Sequence, residues 1–311
     1  MKTIIAYLSQ YLRSLHKPSF FLITLLVAIL ITLNYTIGIE SAFYRESNFL
    51  IRTVGFFLLY AFIISTAYLI HFISQKELSP VNSQFYFLLL ASSLIFALKM
   101  TVNQPIRIIS DVFNYPWDDY AYYVMSWPLK CLLVLILISL IWKYYNPQSP
   151  VAGMTTKKFN AKPYLILLAM MVPLIGFAAT QPDFLVTYPK VKTIAFIYPY
   201  VDHSLPWKIL YEISYGIDFI TIEAFFRGFL VLAFIRFAGA GAILPMAAFY
   251  CSIHFGKPLF ECITSYFGGI ILGVVVYHTR SIWGGLITHV GIAWLMEIGG
   301  ALGHNLHPPA P

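Results

Sequence analysis

Apolar residues are gathered into long blocks along this chain, and short polar stretches separate one block from the next. A helix needs about 20 mostly apolar residues to cross a hydrocarbon core about 30 Å thick. Nine segments reach or approach that length, at 19–39, 54–72, 84–100, 122–142, 163–180, 208–235, 241–256, 260–277 and 281–299. The pattern predicts an all-α, polytopic transmembrane helical bundle of about nine spans. The number is eight if 241–256, which contains Pro245, is a short or broken helix.

The same pattern divides the chain into four parts. Residues 1–180 are predicted to hold an interfacial helix followed by five transmembrane helices. The interfacial helix is predicted because apolar residues recur at helical spacing near the N-terminus. Proline and tyrosine are frequent in 181–207, which predicts a connecting loop. Four helices follow in a core at 208–299, and 300–311 form a C-terminal tail.

Composition supports the membrane interpretation and narrows the choice of partners. Apolar residues make up 59% of the chain and charged residues 11%, far below the roughly 25% charged of soluble domains. The net charge of +7 is spread over the loops, which suits membrane lipids with anionic headgroups and excludes a nucleic-acid partner. The three cysteines lack the spacing of a metal site or a disulfide framework.

Ionisable residues at membrane depth are the first indication of chemistry. They are concentrated after residue 207, whereas the earlier spans contain Lys130 as their main ionisable residue. A charge at the centre of a transmembrane helix costs roughly 2.5–3.5 kcal/mol, so such groups face a partner or a wet cavity. The concentrated set consists of Asp218, Glu223, Arg227, His254, His289 and Glu297. Together these residues predict a polar site inside the C-terminal core.

These residues also have a structural interpretation. Glu223 and Arg227 are four apart with the acid first, the favourable order for an ion pair that holds one span to its neighbour. A single histidine in an apolar helix is usually a packed, hydrogen-bonded core residue. Two of them, His254 and His289, follow an acidic helix here, which favours a functional site.

Three short motifs lie in the C-terminal core. They are Glu223-Ala-Phe-Phe-Arg227, Tyr250-x-x-x-His254 and His289, and a glycine-rich helix with Gly269-x-x-x-Gly273 separates the last two. In spacing and helix order they resemble the core of the CPBP intramembrane proteases, whose pattern is Glu-Glu-x-x-x-Arg, Phe-x-x-x-His and His-x-x-x-Asn. That family includes type II CAAX prenyl endopeptidases and Abi-like bacteriocin-processing or immunity proteins.

The resemblance implies a hydrolase that performs intramembrane proteolysis on a peptide or membrane-protein substrate. In this interpretation Glu223 and His254 orient and deprotonate the attacking water, His289 stabilises the oxyanion, and Tyr250 and Arg227 support them. The two histidines and a carboxylate could also hold zinc, which would make the protein a metalloendopeptidase. The resemblance further implies a multi-pass protein of a bacterial inner membrane.

The chain departs from the family pattern at two positions. Ile222 stands where the first glutamate is expected, and Ala293 stands where the asparagine is expected. Asp218 and Glu297 lie one helical turn from these positions on the same faces, and are candidate replacements displaced by about 6 Å along the axis. Alternatively, they mark the membrane boundary and a solvated helix end. Glu223 ranks first and Asp218 second as the catalytic carboxylate.

Three functions stay open at this point. The first is an intramembrane endopeptidase, and the second is a catalytically degenerate relative that keeps the cavity as a binding or immunity module. The third, a proton-coupled transporter, lacks the inverted repeats common in such proteins. For the first two, we expect His254 and His289 to face one another across a cavity, with the eighth span packed outside through Gly269 and Gly273.

Overall fold

The computed structural model describes residues 2–76, 81–146, 148–157 and 159–306. Each of the nine apolar segments coincides with helical structure in this part of the chain. The α-helices are α1 (Lys2–Ser14), α2 (Lys17–Ile37), α3 (Ile39–Arg45), α4 (Phe49–Gln75), α5 (Ser83–Thr101), α6 (Asn103–Ser110), α7 (Trp117–Tyr145), α8 (Lys162–Ala178), α9 (Pro182–Thr187), α10 (Leu205–Ile222), α11 (Ile235–Ala238), α12 (Ile243–Ser252), α13 (Leu259–Thr279) and α14 (Trp283–Leu306). The polytopic helical bundle is therefore confirmed.

The number of spans differs from the nine predicted. Within the described ranges, seven stretches are long and apolar enough to cross a membrane. One predicted span, α8, has only 17 residues, and the sixth and seventh lie in a single helical run, Leu205–Ser252. That run is interrupted at Gly239, whose φ of 54° and ψ of −131° are not helical. The seventh segment is a short helix, since α12 has 10 residues and ends at Ser252 instead of at 256.

Two segments predicted to be irregular are helical. Residues 181–207, predicted as a connecting loop, contain α9 and a 3₁₀-helix at Lys190–Tyr200. The predicted tail, 300–311, continues α14 as far as Leu306, and 307–311 lie outside the described residues. The C-terminal core is thus bordered by ordered helical turns between α8 and α10.

The predicted interfacial helix α1 packs along the bundle. The Tyr7 ring stacks on the His278 ring of α13 with 4.5 Å between centroids. Ile4 and Tyr11 are buried on the same side, while Leu12 is exposed. Because one side of α1 is buried and the other is apolar and open, its location at the membrane interface stays a prediction.

The largest hydrophobic core joins the two halves of the chain. Phe96 of α5 contacts the rings of Phe225 and Phe226, with centroids 4.9 and 5.0 Å apart. Tyr60 of α4 contacts Phe249 of α12 at 4.7 Å. All ten residues of α12 are buried. The helix that carries Tyr250 therefore lies at the centre of the bundle and is fixed from several sides.

The glycines of α13 allow a close approach to α12. A Cβ built on Gly269 would lie 3.3 Å from the Ala247 Cβ, and one on Gly273 would lie 2.7 Å from the Met246 Cε. Side chains at these positions would push the two helices apart. The prediction that the eighth span packs through Gly269 and Gly273 against a neighbouring helix is confirmed.

Candidate active site

The first motif begins where the helix type changes. The α10 helix ends at Ile222, and a π-helix runs from Glu223 to Val231 with all nine residues buried. Hydrogen bonds in a π-helix run between residues five apart, a rare arrangement that recurs at functional sites. The Glu223 side chain is completely buried at this junction. No feature of the sequence predicted the π-helix.

Glu223 contacts the third motif directly. Its Oε1 lies 3.0 Å from Nδ1 of His289 on α14, although 66 residues separate the two positions. The other ring nitrogen of His289, Nε2, lies 3.1 Å from the hydroxyl of Tyr250 on α12. Three motif residues from three helices therefore form one hydrogen-bonded chain.

The partners of His289 determine its tautomer. A carboxylate oxygen accepts hydrogen bonds, so Nδ1 of His289 is the donor in the Glu223 contact. In a neutral imidazole the other nitrogen, Nε2, is an acceptor, and there it accepts the Tyr250 hydroxyl. Both nitrogens of His289 are thus engaged, and the outer end of the chain is the Tyr250 hydroxyl.

Arg227 interacts mainly with the ring of Tyr250. The Arg227 Cζ lies 3.9 Å from the centroid of that ring, a cation–π contact between buried groups. Its Nη1 lies 3.4 Å from Glu223 Oε1, and Nη1 and Nε have no hydrogen-bond partner among the described residues. The predicted Glu223–Arg227 pair is therefore present as a charge contact without a hydrogen bond.

The second oxygen of Glu223 lies against α14. A Cβ on Gly285 would stand 2.2 Å from Glu223 Oε2, so only glycine lets the helix approach this closely. Oε2 has no hydrogen-bond partner within the described residues. The carboxylate is consequently oriented by His289 on one oxygen and by the shape of α14 on the other.

His254 lies in the turn after α12, beyond the helix in which it was predicted. Its Nδ1 donates to the Tyr250 carbonyl at 3.0 Å, and its ring lies 4.7 Å from the Tyr250 ring. Donation through Nδ1 leaves the lone pair on Nε2. Burial and the nearby Lys257 ammonium lower the pKa of His254 to about 3, so the imidazole is neutral.

Tyr250 contacts both histidines, where an open cavity was expected between them. Its hydroxyl reaches His289, while its ring and carbonyl contact His254. The family pattern has phenylalanine at this position, so the hydroxyl of Tyr250 is a group that the pattern residue lacks. The exchange adds a polar group at the centre of the site.

The turn that carries His254 is held by the N-terminal part of the chain. Asn34 at the end of α2 donates to the Phe255 carbonyl at 3.0 Å and accepts from the Glu40 backbone N–H at 3.0 Å. The Tyr35 hydroxyl donates to the Lys257 carbonyl. Sequence reasoning missed these supports, because side chains that bond only to the backbone of a distant turn have no local pattern.

Asp218 makes no hydrogen bond to either histidine within the described part of the chain. Its carboxylate pairs with Lys99 of α5, with Nζ 2.9 Å from Oδ1 and 3.1 Å from Oδ2. Ile222 follows it by four residues and shares its helical face. Lys99 is 7% exposed, so the first spans bury a second ionisable residue besides the predicted Lys130. The geometry therefore gives Asp218 a charge partner, Lys99, that is not part of the hydrogen-bonded chain of Glu223 and His289.

Glu297 is a buried helix-capping residue and not a solvated helix end. Its Oε1 accepts the Lys190 N–H at 2.8 Å, and its Oε2 accepts the Val191 N–H at 3.1 Å. The first N–H groups of a helix have no partner within the helix itself, and these two N–H groups lie at the start of the 3₁₀-helix Lys190–Tyr200. The contact attaches that helix to α14, and both oxygens are occupied away from His289.

The residues do not form a set of zinc ligands in this arrangement. A zinc site needs at least three protein ligands with free donor atoms. Both nitrogens of His289 are engaged, which leaves His254 Nε2 as the one free imidazole nitrogen of the pair. Among the described residues, no group of three or more His, Cys, Asp or Glu side chains is placed to hold a metal.

Comparison with known proteins agrees with the motif-based resemblance. The family model described as type II CAAX prenyl endopeptidase Rce1-like matches residues 207–295. The matched range contains Glu223, Tyr250, His254 and His289. Comparisons with curated proteins and with solved structures gave no match. Residues 207–295 of this multi-pass membrane protein are therefore similar to the CAAX-protease family, and the predicted resemblance is confirmed.

Proposed function

We propose that this protein is an intramembrane endopeptidase that uses activated water to hydrolyse a peptide bond in a membrane-associated or prenylated substrate. The observation that supports this best is the 3.0 Å contact between Glu223 and His289, because it joins the first and third motifs inside the bundle. Tyr250 and His254 of the second motif adjoin the same pair. A carboxylate, two imidazoles and a hydroxyl thus converge in the segment that matches the protease family.

His254 is the proposed partner of the attacking water. Its Nε2 carries a free lone pair because Nδ1 donates to a backbone carbonyl, so it can accept a hydrogen bond and then a proton from water. Glu223 acts through His289 by holding its tautomer and stabilising any positive charge on the ring. Zinc stays a prediction, and no step of this mechanism depends on it.

We also propose a bacterial inner membrane as the location and a peptide or membrane protein as the substrate. The apolar spans provide the lipid-facing surface, and the buried site requires a substrate that reaches membrane depth. The surroundings at that depth have a low dielectric constant. Electrostatic contacts between a polar group of the protein and the charge that develops on the substrate are therefore stronger there than in water.

The test is a comparison of protein termini in membranes from cells that carry the wild type or His254→Ala. We expect at least one membrane protein to be processed in the wild type and intact in the variant. His278→Ala is the matched control. His278 lies near the C-terminal end of α13 and stacks on Tyr7, whereas His254 precedes the N-terminal end of that helix. Identical termini in all three samples would count against proteolysis.

A catalytically degenerate binding or immunity module is the second candidate. The burial of His254 favours it, because burial lowers the pKa of the imidazole and makes it a weaker base at neutral pH. The two positions Ile222 and Ala293 also lack the polar side chains of the family pattern. Such a module would bind the same peptide with equal affinity in the wild type and in His254→Ala, and neither protein would cleave it.

A further inference from the structure

The Tyr250 hydroxyl is the polar group at which the chain from Glu223 through His289 ends. We infer that Tyr250 is a catalytic residue that donates a hydrogen bond to the substrate carbonyl oxygen as it becomes negative. In this role it replaces the amide that is missing at Ala293. The inference rests on the proposed endopeptidase function and assigns a group to a step that neither Ala293 nor the Nδ1 proton of His289 can serve.

His289 cannot supply that donor by itself. Its Nδ1 proton is directed at Glu223, and its Nε2 is an acceptor in the neutral ring. The alanine at 293 has no polar side-chain atom, so the expected amide donor is absent as well. The hydroxyl of Tyr250, which lies 3.1 Å from His289 Nε2, is a donor in the second motif that can fill this role.

The hydroxyl can change its acceptor without moving the ring. A phenolic hydrogen rotates about the C–O bond to suit its partner. In the resting arrangement it is given to the neutral Nε2 of His289 at 3.1 Å. A developing oxyanion is a stronger acceptor, because charge-assisted hydrogen bonds are roughly twice as strong as neutral ones. The bond therefore transfers to the substrate when negative charge appears.

Arg227 makes Tyr250 a better donor and keeps its ring in place. The guanidinium lies over the ring face at 3.9 Å, and a cation there favours negative charge on the phenol oxygen. The Phe226 ring contacts Tyr250 edge to face at 5.1 Å, and a Cβ on Gly269 would stand 3.2 Å from the Tyr250 Cδ1. A donor fixed in this way costs little reorganisation during the reaction.

The ring that carries the donor also lies beside the proposed base. The His254 ring packs edge to face on the Tyr250 ring at 4.7 Å, and its Nδ1 bonds to the Tyr250 carbonyl. In the proposed reaction the substrate carbonyl lies between these two side chains, with its carbon towards the water on His254 and its oxygen towards the Tyr250 hydroxyl. This juxtaposition is what an acyl-transfer site requires.

The experiment measures cleavage kinetics of a substrate found in the termini comparison, using the full-length protein in detergent or lipid. Tyr250→Phe removes only the hydroxyl and restores the family residue, so the fold is expected to persist. We expect kcat to fall about 10²–10³-fold, the usual effect of losing one oxyanion donor, with KM nearly unchanged. Adding Ala293→Asn to Tyr250→Phe should restore part of kcat, because the amide then occupies the family position.

The outcomes separate this inference from the proposed function. If the wild type cleaves and Tyr250→Phe cleaves equally well or faster, the hydroxyl is not the donor and the inference alone is overturned. A fall in kcat that Ala293→Asn does not relieve at all would also contradict the replacement of the amide. If the wild type and His254→Ala leave the same membrane proteins intact, the endopeptidase proposal fails, and this inference fails with it.

Discussion

Arg227→Met is the substitution that most directly measures the buried charge at the site. Both side chains of the pair are at most 1% exposed, and Arg227 is the cation that faces Glu223 at 3.4 Å. Methionine keeps much of the side-chain length but removes the charge. Removing one partner of a buried pair leaves an uncompensated charge and costs about 3–5 kcal/mol. Since 1.4 kcal/mol is a factor of about ten, the folded fraction falls more than a hundredfold relative to the unfolded.

The assay is equilibrium unfolding in mild detergent, together with the amount of folded protein recovered from membranes. Arg236→Met is the matched control, because Arg236 is exposed on α11 and its loss should change the free energy of unfolding by less than about 0.5 kcal/mol. The double variant Glu223→Gln with Arg227→Met should be more stable than Arg227→Met alone, because no unpaired carboxylate remains. Wild-type stability of Arg227→Met would refute the reasoning.

Two further substitutions test the geometry around the carboxylates. Gly285→Ala places a Cβ 2.2 Å from Glu223 Oε2, so it should cost about 1–3 kcal/mol and reduce cleavage per folded molecule, whereas Gly268→Ala, with no atom within 4 Å of its Cβ, should behave like the wild type in both assays. Equal behaviour of the two alanine variants would contradict the close approach. Lys99→Met should destabilise the protein by about 2 kcal/mol in the unfolding assay, less than a fully buried pair because Asp218 is 18% exposed. Asp218→Asn should leave cleavage per folded molecule unchanged, and a large loss would restore Asp218 as a catalytic candidate.

The helices could be predicted from the sequence because apolar length is a local property. The segment 84–100 corresponds to α5 at Ser83–Thr101, and 260–277 corresponds to α13 at Leu259–Thr279. The 3₁₀-helix at Lys190–Tyr200 could not be predicted in this way. Its first N–H groups are satisfied by Glu297, more than 100 residues further along the chain. A segment rich in proline therefore became helical through a distant contact.

The sequence predicted most of the residues that belong to the site, but it predicted less well which neighbour each side chain contacts. Helical spacing indicates which residues share a face, but it does not indicate which face meets which neighbour. Asp218 and Ile222 share a face, as predicted, and Asp218 pairs from it with Lys99 of α5. The face rotated by about 100° carries Glu223, which meets His289 of α14. Which carboxylate reaches the histidine therefore depends on where α5 and α14 lie around the helical run that carries Asp218 and Glu223. That arrangement depends on long-range packing.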